Sequence, residues 1–169
     1  MADKLSPEKR SWNMSRVRNR DTGPEKRVRQ ALFSAGFRFR LHSETIPGCP
    51  DIVLPRFRVA VFVHGCFWHG HECPRGRRPA SNVAFWAKKI DRNIARDREV
   101  LATVRKAGWK PKVIWQCDLE RATDRLIRSL YRAARRVPAG RIAVSRYPAK
   151  KRARRGGTAL PIMRATGSI

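Results

Sequence analysis

The sequence predicts an α/β fold with an α/β/α layer arrangement around a small mixed sheet. Segments with helical and strand periods follow in the order helix, three strands, a crossover rich in histidine and cysteine, helix, strand, helix. The stretch 59–63 is continuously apolar, which is typical of a central strand that is buried on both faces. A chain of 169 residues is long enough for one domain with a buried core.

The first predicted helix begins at a capping box. Thr22 is the predicted N-cap, Pro24 lies in the first turn, and Glu25 closes the box. Apolar residues then recur at helical spacing, and Gly36 ends the helix, because glycine adopts the left-handed conformation that commonly follows a helix.

Three strands should follow this helix. Residues 37–41 alternate with a period of two, residues 51–54 are a short apolar run after a turn, and residues 57–63 are a longer one. The second half of the domain predicts a helix over 83–105 that Gly108 stops, a strand over 112–115, and a last helix over 119–136.

The flanking segments and the charge indicate a polyanionic partner. We expect a basic arm or short helix at 1–20, the main domain at 21–136, and a basic, disordered tail at 137–169. The formal net charge is +26, from 39 Lys and Arg against 13 Asp and Glu, and it favours nucleic acid over a merely solvated basic surface. No apolar run approaches the roughly 20 residues of a membrane span, and the polar N-terminus does not look like a signal peptide.

Ten residues, 64–73, hold three of the four histidines and two of the four cysteines. Cys66, His71, Cys73 and the distant Cys117 supply three sulfurs and one imidazole, which is the ligand set of a closed structural zinc site. Cys49 is an alternative fourth ligand, but it lies in a turn beside Asp51. Buried cysteines without a metal are the other interpretation of the cluster.

A second, catalytic site is predicted beside the first. If zinc takes His71, then His64 and His69 remain available, and a neutral histidine suits a general base. Asp51 stands at the start of a strand, where a carboxylate can bind the magnesium ion of a phosphoryl transfer.

Taken together, these motifs identify the chain as similar to the very short patch repair (Vsr) endonucleases over about residues 8–135. The match includes eight residues of the 64–73 cluster, which are His64, Gly65, Cys66, Phe67, Trp68, His69, His71 and Cys73. The other matching residues are Asn13, Met14, Arg20, Asp21, Thr22, Glu25, Pro47, Gly48, Pro50, Asp51, Phe85, Trp86, Lys89, Ile90, Arg96, Asp97, Gly108, Trp109, Trp115 and Cys117.

The resemblance implies a restriction-endonuclease-like fold and an enzyme that nicks one DNA strand 5′ of the T in T:G mismatches, which arise when 5-methylcytosine deaminates. It implies a catalytic Mg²⁺ held by Asp51 and by the backbone carbonyl of Val63. His69 would be the general base, with His64 and Glu25 placing water and metal. The implied zinc ligands are Cys66, His71, Cys73 and Cys117.

The resemblance also implies an aromatic wedge. Phe67, Trp68 and Trp86 would insert beside the mismatch from the major groove, and Met14 from the minor groove. A T:G pair stacks poorly, so a wedge costs less there than at a Watson–Crick step. Burial in the core is the alternative for Phe67 and Trp68, and more so for Trp86; a plain helix cap is the alternative for Glu25.

Two residues depart from the family pattern, and the basic tail has no counterpart in it. Relatives usually carry a basic residue in place of Cys49, which weakens a DNA contact there. Relatives often carry Thr in place of Val63, but a backbone ligand does not depend on the side chain.

The resemblance further implies partners and a location. We expect double-stranded DNA with a T:G mismatch as substrate, a functional link to a DNA cytosine-5 methyltransferase and to mismatch-repair factors such as MutL, a monomer, no membrane contact, and the bacterial cytoplasm near the nucleoid. A restriction-type endonuclease on the same scaffold and a zinc-stabilised DNA-binding module without catalysis are the competing functions.

Overall fold

The structure is a computed structural model that describes Ser6, residues 8–9, Trp12, residues 15–16 and residues 20–135. The predictions for Met14 and for the tail at 137–169 lie outside the described residues. Within 20–135 there are three helices and four strands, in the predicted order. They are α1 (Gly23–Ser34), β1 (Arg40–Leu41), β2 (Ile52–Leu54), β3 (Val59–His64), α2 (Val83–Lys106), β4 (Lys110–Trp115) and α3 (Leu119–Arg135).

The four strands form one mixed sheet in the order β1-β2-β3-β4. β1 and β2, and β2 and β3, pair antiparallel, while β3 and β4 are parallel because α2 forms the crossover between them. The predicted mixed α/β architecture is therefore confirmed.

β3 is the central strand, and its side chains alternate between two cores. Val59 and Val61 pack with residues of α1 and α3 on one face of the sheet. Ala60 and Phe62 pack with Val104 of α2 and its neighbours on the other face. Both faces of β3 are covered, as its continuous apolar sequence predicts, and its last residue, His64, points to the α2 side by the same alternation.

Two predicted strands have different bounds in the structure. The strand predicted over 37–41 is reduced to Arg40–Leu41, both exposed, because it pairs with a β2 of only three residues. The strand predicted from Phe57 begins at Val59, because Pro55–Phe57 form a 3₁₀ turn that ends at Arg58 with a φ of 50°. Phe37 and Phe57 still pack edge to face, with ring centroids 5.7 Å apart.

The helix signals behave as predicted. The Thr22 side chain accepts a hydrogen bond from the Glu25 N–H, and the Glu25 side chain returns to the Thr22 backbone, so the capping box is present. Gly36 follows α1 with a φ of 80°, and Gly108 follows α2 with a φ of 76°. Among the described residues, no helix is both long and apolar enough to cross a membrane.

Candidate active site

The end of β3 opens into a cavity of about 940 Å³. Its lining comes from the start of α1, the turn before β2, the β3 end with the loop after it, and the middle of α2. The cavity brings together four of the predicted catalytic residues, which are Asp51, His64, His69 and Glu25.

Asp51 lies just before β2, with its carboxylate against the end of β3. Its Oδ2 accepts a hydrogen bond from the Val63 N–H at 2.7 Å. Burial raises the pKa of Asp51 despite that hydrogen bond, and the negative charge of Glu25 adds to the rise. Ionisation of this buried carboxylate costs free energy, and a bound cation would offset that cost.

The sheet register leaves the Val63 carbonyl on the same side as Asp51. Ile52 pairs with Val61 in the antiparallel ladder, so two further residues would place Val63 opposite Pro50. Proline has no N–H to donate, and the N–H and C=O of one strand residue point to the same side. The Val63 carbonyl therefore has no ladder donor from residue 50 and faces the side on which its N–H binds Asp51.

His64 and His69 stack face to face. Their ring centroids are 3.8 Å apart and their planes differ by 10°. His64 is buried, and burial together with the neighbouring charge of His69 lowers its pKa to about 4. His64 is therefore neutral at pH 7.

His69 is oriented by Asp97 from the middle of α2. The His69 Nδ1 lies 2.5 Å from Asp97 Oδ2. Burial opposes ionisation of Asp97, but the hydrogen bond and the charge of His69 outweigh it and lower the pKa of its carboxyl. With Nδ1–H donated to a carboxylate, the Nε2 lone pair of His69 is the one left for chemistry.

Glu25 is buried at the edge of the cavity, where its carboxylate is held by several groups. Oε1 accepts from the Thr22 hydroxyl at 2.7 Å, and Oε2 accepts from the Asp21 N–H at 3.0 Å. Arg29 also donates to Oε2, at 2.8 Å. Glu25 thus caps α1 and also lines the cavity beside Asp51.

The four predicted zinc ligands come together outside this cavity. Cys66, His71, Cys73 and Cys117 place ligand atoms within 4.8 Å of one another, and Cys117 Sγ lies 3.5 Å from His71 Nδ1. These separations suit four donors around one tetrahedral ion. Cys49 is not in the group; it is exposed, has a φ of 47°, and lines the catalytic cavity instead.

The protonation chemistry of the cluster also suits a cation. Burial and the neighbouring Cys117 thiol raise the pKa of Cys66 to about 11. The hydrogen bond with His71 lowers the pKa of Cys73 to about 6. Three thiols this close cannot all ionise without a positive charge between them, and a bound divalent ion supplies it.

The loop that carries the cluster is tightly wound. The His71 N–H donates to the Cys66 carbonyl at 3.0 Å, and the Gly76 N–H donates to the Cys73 carbonyl at 2.8 Å. A Cβ atom at Gly76 would lie 1.9 Å from the His71 carbonyl oxygen, so only glycine fits there. This packing fixes the backbone around the ligands.

Trp115, the last residue of β4, lies between the two sites. Its ring is 4.3 Å from the His71 ring and 5.2 Å from the His64 ring, measured between centroids. Trp115 therefore contacts both the cluster of predicted zinc ligands and the histidine pair, although the two groups have no ligand atom in common.

The three residues predicted to form the wedge lie in one aromatic cluster. Phe67 contacts Trp68 and Trp86, with ring centroids 5.0 and 5.1 Å away. All three rings are half-buried. Lys89 Nζ lies 5.6 Å from the Trp68, Phe85 and Trp86 rings, and Phe85 is 56% exposed. The cluster thus belongs to the surface rather than to either core, with a cation beside it.

Known proteins similar to this chain point to one family. A family model described as "DNA mismatch endonuclease Vsr" matches residues 2–75. The chain is 51% identical over 119 residues to the Type II nicking enzyme V.XorIIP of Xanthomonas oryzae pv. oryzae. The aligned residues make up 70% of this chain and 88% of that protein. It is 39% identical over 127 residues to the DNA mismatch endonuclease Vsr of Escherichia coli, or 73% of this chain and 81% of that protein.

The chain belongs to the Vsr family. The Type II nicking enzyme V.NmeAIP of Neisseria meningitidis serogroup A is a further relative, 42% identical over 120 residues that make up 71% of this chain and 86% of that protein. Membership confirms the predicted family and, with it, the predicted class of activity, a DNA mismatch endonuclease.

The sequence assigned no role to two residues of this Vsr site. Asp97 was matched only as part of a motif, and 28 residues separate it from its partner His69. Trp115 likewise gave no sign that it lies between two clusters. Three acidic residues, Asp91, Asp97 and Glu99, lie on α2, so no signal in the sequence singles out Asp97.

Proposed function

We propose that this protein nicks one strand of double-stranded DNA 5′ of the T in T:G mismatches left by deamination of 5-methylcytosine, with Mg²⁺ as the catalytic ion. The observation that carries the proposal is the cavity that joins the Asp51 carboxylate to a stacked pair of histidines. The known mismatch endonuclease among the relatives supports the type of substrate, and the nicking enzymes support single-strand cleavage.

His69 is the proposed general base. Because its Nδ1–H binds Asp97, its Nε2 can accept a proton from the water that attacks the phosphorus atom, and Asp97 stabilises the imidazolium that results. As the new P–O bond forms, the bond between the phosphorus and one sugar oxygen of the DNA backbone breaks. That oxygen leaves with the bonding electrons and takes up a proton from solvent, and the strand is nicked. His64, neutral and stacked on His69, fixes the plane of the base without competing for the proton.

Asp51 and the Val63 carbonyl are the proposed magnesium ligands. Both are oxygen donors on one side of the β3 end, and oxygen donors are what Mg²⁺ prefers. When bound, the ion supplies positive charge for the developing charge on the phosphate. Glu25 is proposed to hold water at the edge of the same site.

Zn²⁺ is the proposed occupant of the Cys66, His71, Cys73 and Cys117 cluster, with a structural role. Three thiolates and one imidazole would occupy all four coordination positions of a tetrahedral ion and leave none for water. The ion would join the loop after β3 to the end of β4.

Phe67, Trp68 and Trp86 are the proposed wedge. A half-buried aromatic group with Lys89 beside it can stack on bases while the cation meets a phosphate. Met14 is proposed to enter from the minor groove. Because the substrate depends on a methylated cytosine, we further infer a functional link to a DNA cytosine-5 methyltransferase and to repair factors such as MutL, with the protein acting as a monomer.

The decisive experiment compares two duplexes that differ only in one base pair, T:G or T:A, in a methyltransferase recognition sequence. With Mg²⁺ present, we expect cleavage of the T-containing strand of the T:G duplex alone, and none in EDTA. Equal cleavage of both duplexes would establish the restriction-type alternative. Binding without cleavage would establish the non-catalytic module.

A further inference from the structure

A buried arginine lies at the centre of an ionic cluster behind the Asp51 site. The Arg29 side chain is only 11% exposed. Its Nη1 binds the Asp21 carboxylate, and its Nη2 lies 2.8 Å from Glu25 Oε2 and 3.0 Å from His42 Nε2. One guanidinium thus joins α1, the turn before it and the residue that follows β1.

In the hydrogen bond between Arg29 and His42, the donor and the acceptor can be assigned. A guanidinium carries only donors, so His42 Nε2 must accept, and the ring proton then lies on Nδ1. The same Nε2 is 3.5 Å from Asp21 Oδ1. The three side chains around Arg29 offer ligand atoms within 4.8 Å of one another, which is the spacing of a cation site. Arg29 provides the positive charge at that place.

Two features of this arrangement cost free energy of folding. Asp21 and His42 both have positive φ angles, of 56° and 44°, which strain a residue other than glycine. In addition, the Arg29 Nε is buried without a hydrogen-bond partner among the described residues. A cluster that only stabilised the fold would gain little from such strain.

The cluster also connects directly to the catalytic cavity. Glu25 and His42 both line that cavity together with Asp51. The His42 N–H donates to the Asp51 carbonyl at 3.5 Å, so the backbone of the proposed magnesium ligand is joined to the residue that Arg29 holds.

We propose that Arg29 is a positioning residue of the Asp51 site, whose fork-shaped guanidinium holds Glu25 and His42 in the arrangement that accepts the catalytic cation. This inference rests on the proposed function. Groups that surround a metal site and keep it in shape, without binding the ion themselves, typically contribute about 10- to 100-fold in metal affinity or activity. A lysine cannot reproduce the fork, because it is a point charge on a flexible chain.

The test compares Arg29→Met, Arg29→Lys and the control Arg27→Met. Arg27 is on the same helix, but its side chain is 58% exposed and lies 4.0 Å from the exposed Glu120. With the nuclease assay as one readout, we expect Arg29→Met to lower kcat about 10- to 100-fold and to raise the Mg²⁺ concentration for half-maximal rate. KM for the mismatched duplex should stay unchanged, and Arg29→Lys should restore only part of kcat.

The second readout does not depend on activity. Binding of Mn²⁺ to the DNA-free protein, measured by titration calorimetry, should weaken about 10-fold or more in Arg29→Met and not in Arg27→Met. If Arg29→Met lowers only the melting temperature, with Mn²⁺ affinity and kcat unchanged, Arg29 is merely structural and the proposal fails. If Arg29→Met does not fold, Arg29→Lys decides by the same two measurements. Failure of the wild-type protein to nick the T:G duplex would instead refute the proposed function.

Discussion

Two groups of potential metal ligands both contact Trp115, and they differ in chemistry and in access. The Cys66, His71, Cys73 and Cys117 cluster offers soft donors in a tightly wound loop. The Asp51, His64 and His69 group offers hard oxygens and imidazoles around an open cavity. Residues 64–73 contribute to both groups. Neighbouring residues of this segment therefore belong to different groups, depending on the direction in which each side chain points.

The difference indicates how rigidity and reactivity are divided. In the proposed arrangement, zinc in this cluster would fix the loop after β3, which places His69 against His64 and Asp97. The proposed catalytic groups could then line an open cavity and still be held in position. If the two groups have these separate roles, substitutions in one should change catalysis and substitutions in the other should change stability.

The largest effect is expected for Asp51→Asn. It removes the charge that would bind Mg²⁺, and we expect nicking to fall by about a hundredfold or more. Burial raises the Asp51 pKa in the folded protein, so ionisation at pH 7 disfavours folding, and removing the charge should not lower the melting temperature. Single-turnover cleavage and thermal unfolding provide the measurements. A clear loss of mismatch binding without metal would contradict a mainly catalytic role.

The closed cluster should respond in the opposite way, through stability. Cys73→Ser is expected to lose bound zinc and most of the folded yield, because binding of a structural ion is coupled to folding. Cys49→Ser is the matched control, since Cys49 is exposed and outside the cluster. Metal content by mass spectrometry and melting temperature are the readouts. A stable, zinc-loaded Cys73→Ser protein would argue against the structural role.

A smaller effect is expected for Asp97→Asn, which leaves both groups of ligands in place. The amide cannot stabilise the imidazolium of His69 and can reverse its tautomer, so kcat should fall about 10- to 100-fold. Zinc content and DNA affinity should be those of the wild type. An unchanged rate would remove Asp97 from the proposed catalytic group.

The smallest effect is expected for the wedge. Phe67→Ala should weaken binding to the T:G duplex by about 1 kcal/mol, the low end of the range of about 1–3 kcal/mol for one stacked base, with a smaller change on the T:A duplex. Phe33→Ala is the control, because Phe33 is an exposed aromatic of α1, 61% accessible. Fluorescence anisotropy in EDTA measures both affinities. An equal loss on the two duplexes would mean that Phe67 does not select the mismatch.

The order of elements follows from local signals, whereas strand bounds do not. The capping box at Thr22 and Glu25 and the glycines after two helices act within a few residues, so the sequence predicts them well. The strand predicted from Phe37 fails because strand length depends on the partner, and β2 has only three residues to offer. The strand predicted from Phe57 begins two residues later, at Val59, because Pro55–Phe57 form a 3₁₀ turn.

By itself, the sequence determined the family, the α/β order, the soft ligand set and the residues available for catalysis, because these depend on residue type and spacing. Tertiary structure alone decided which residues outside the short motifs complete each group. It brought Asp97 to His69 across 28 residues, set the Val63 N–H against Asp51, and placed Arg29 behind Glu25 and His42. Such contacts depend on the register of β3 and on how α1 and α2 pack against opposite faces of the sheet, which no short pattern encodes.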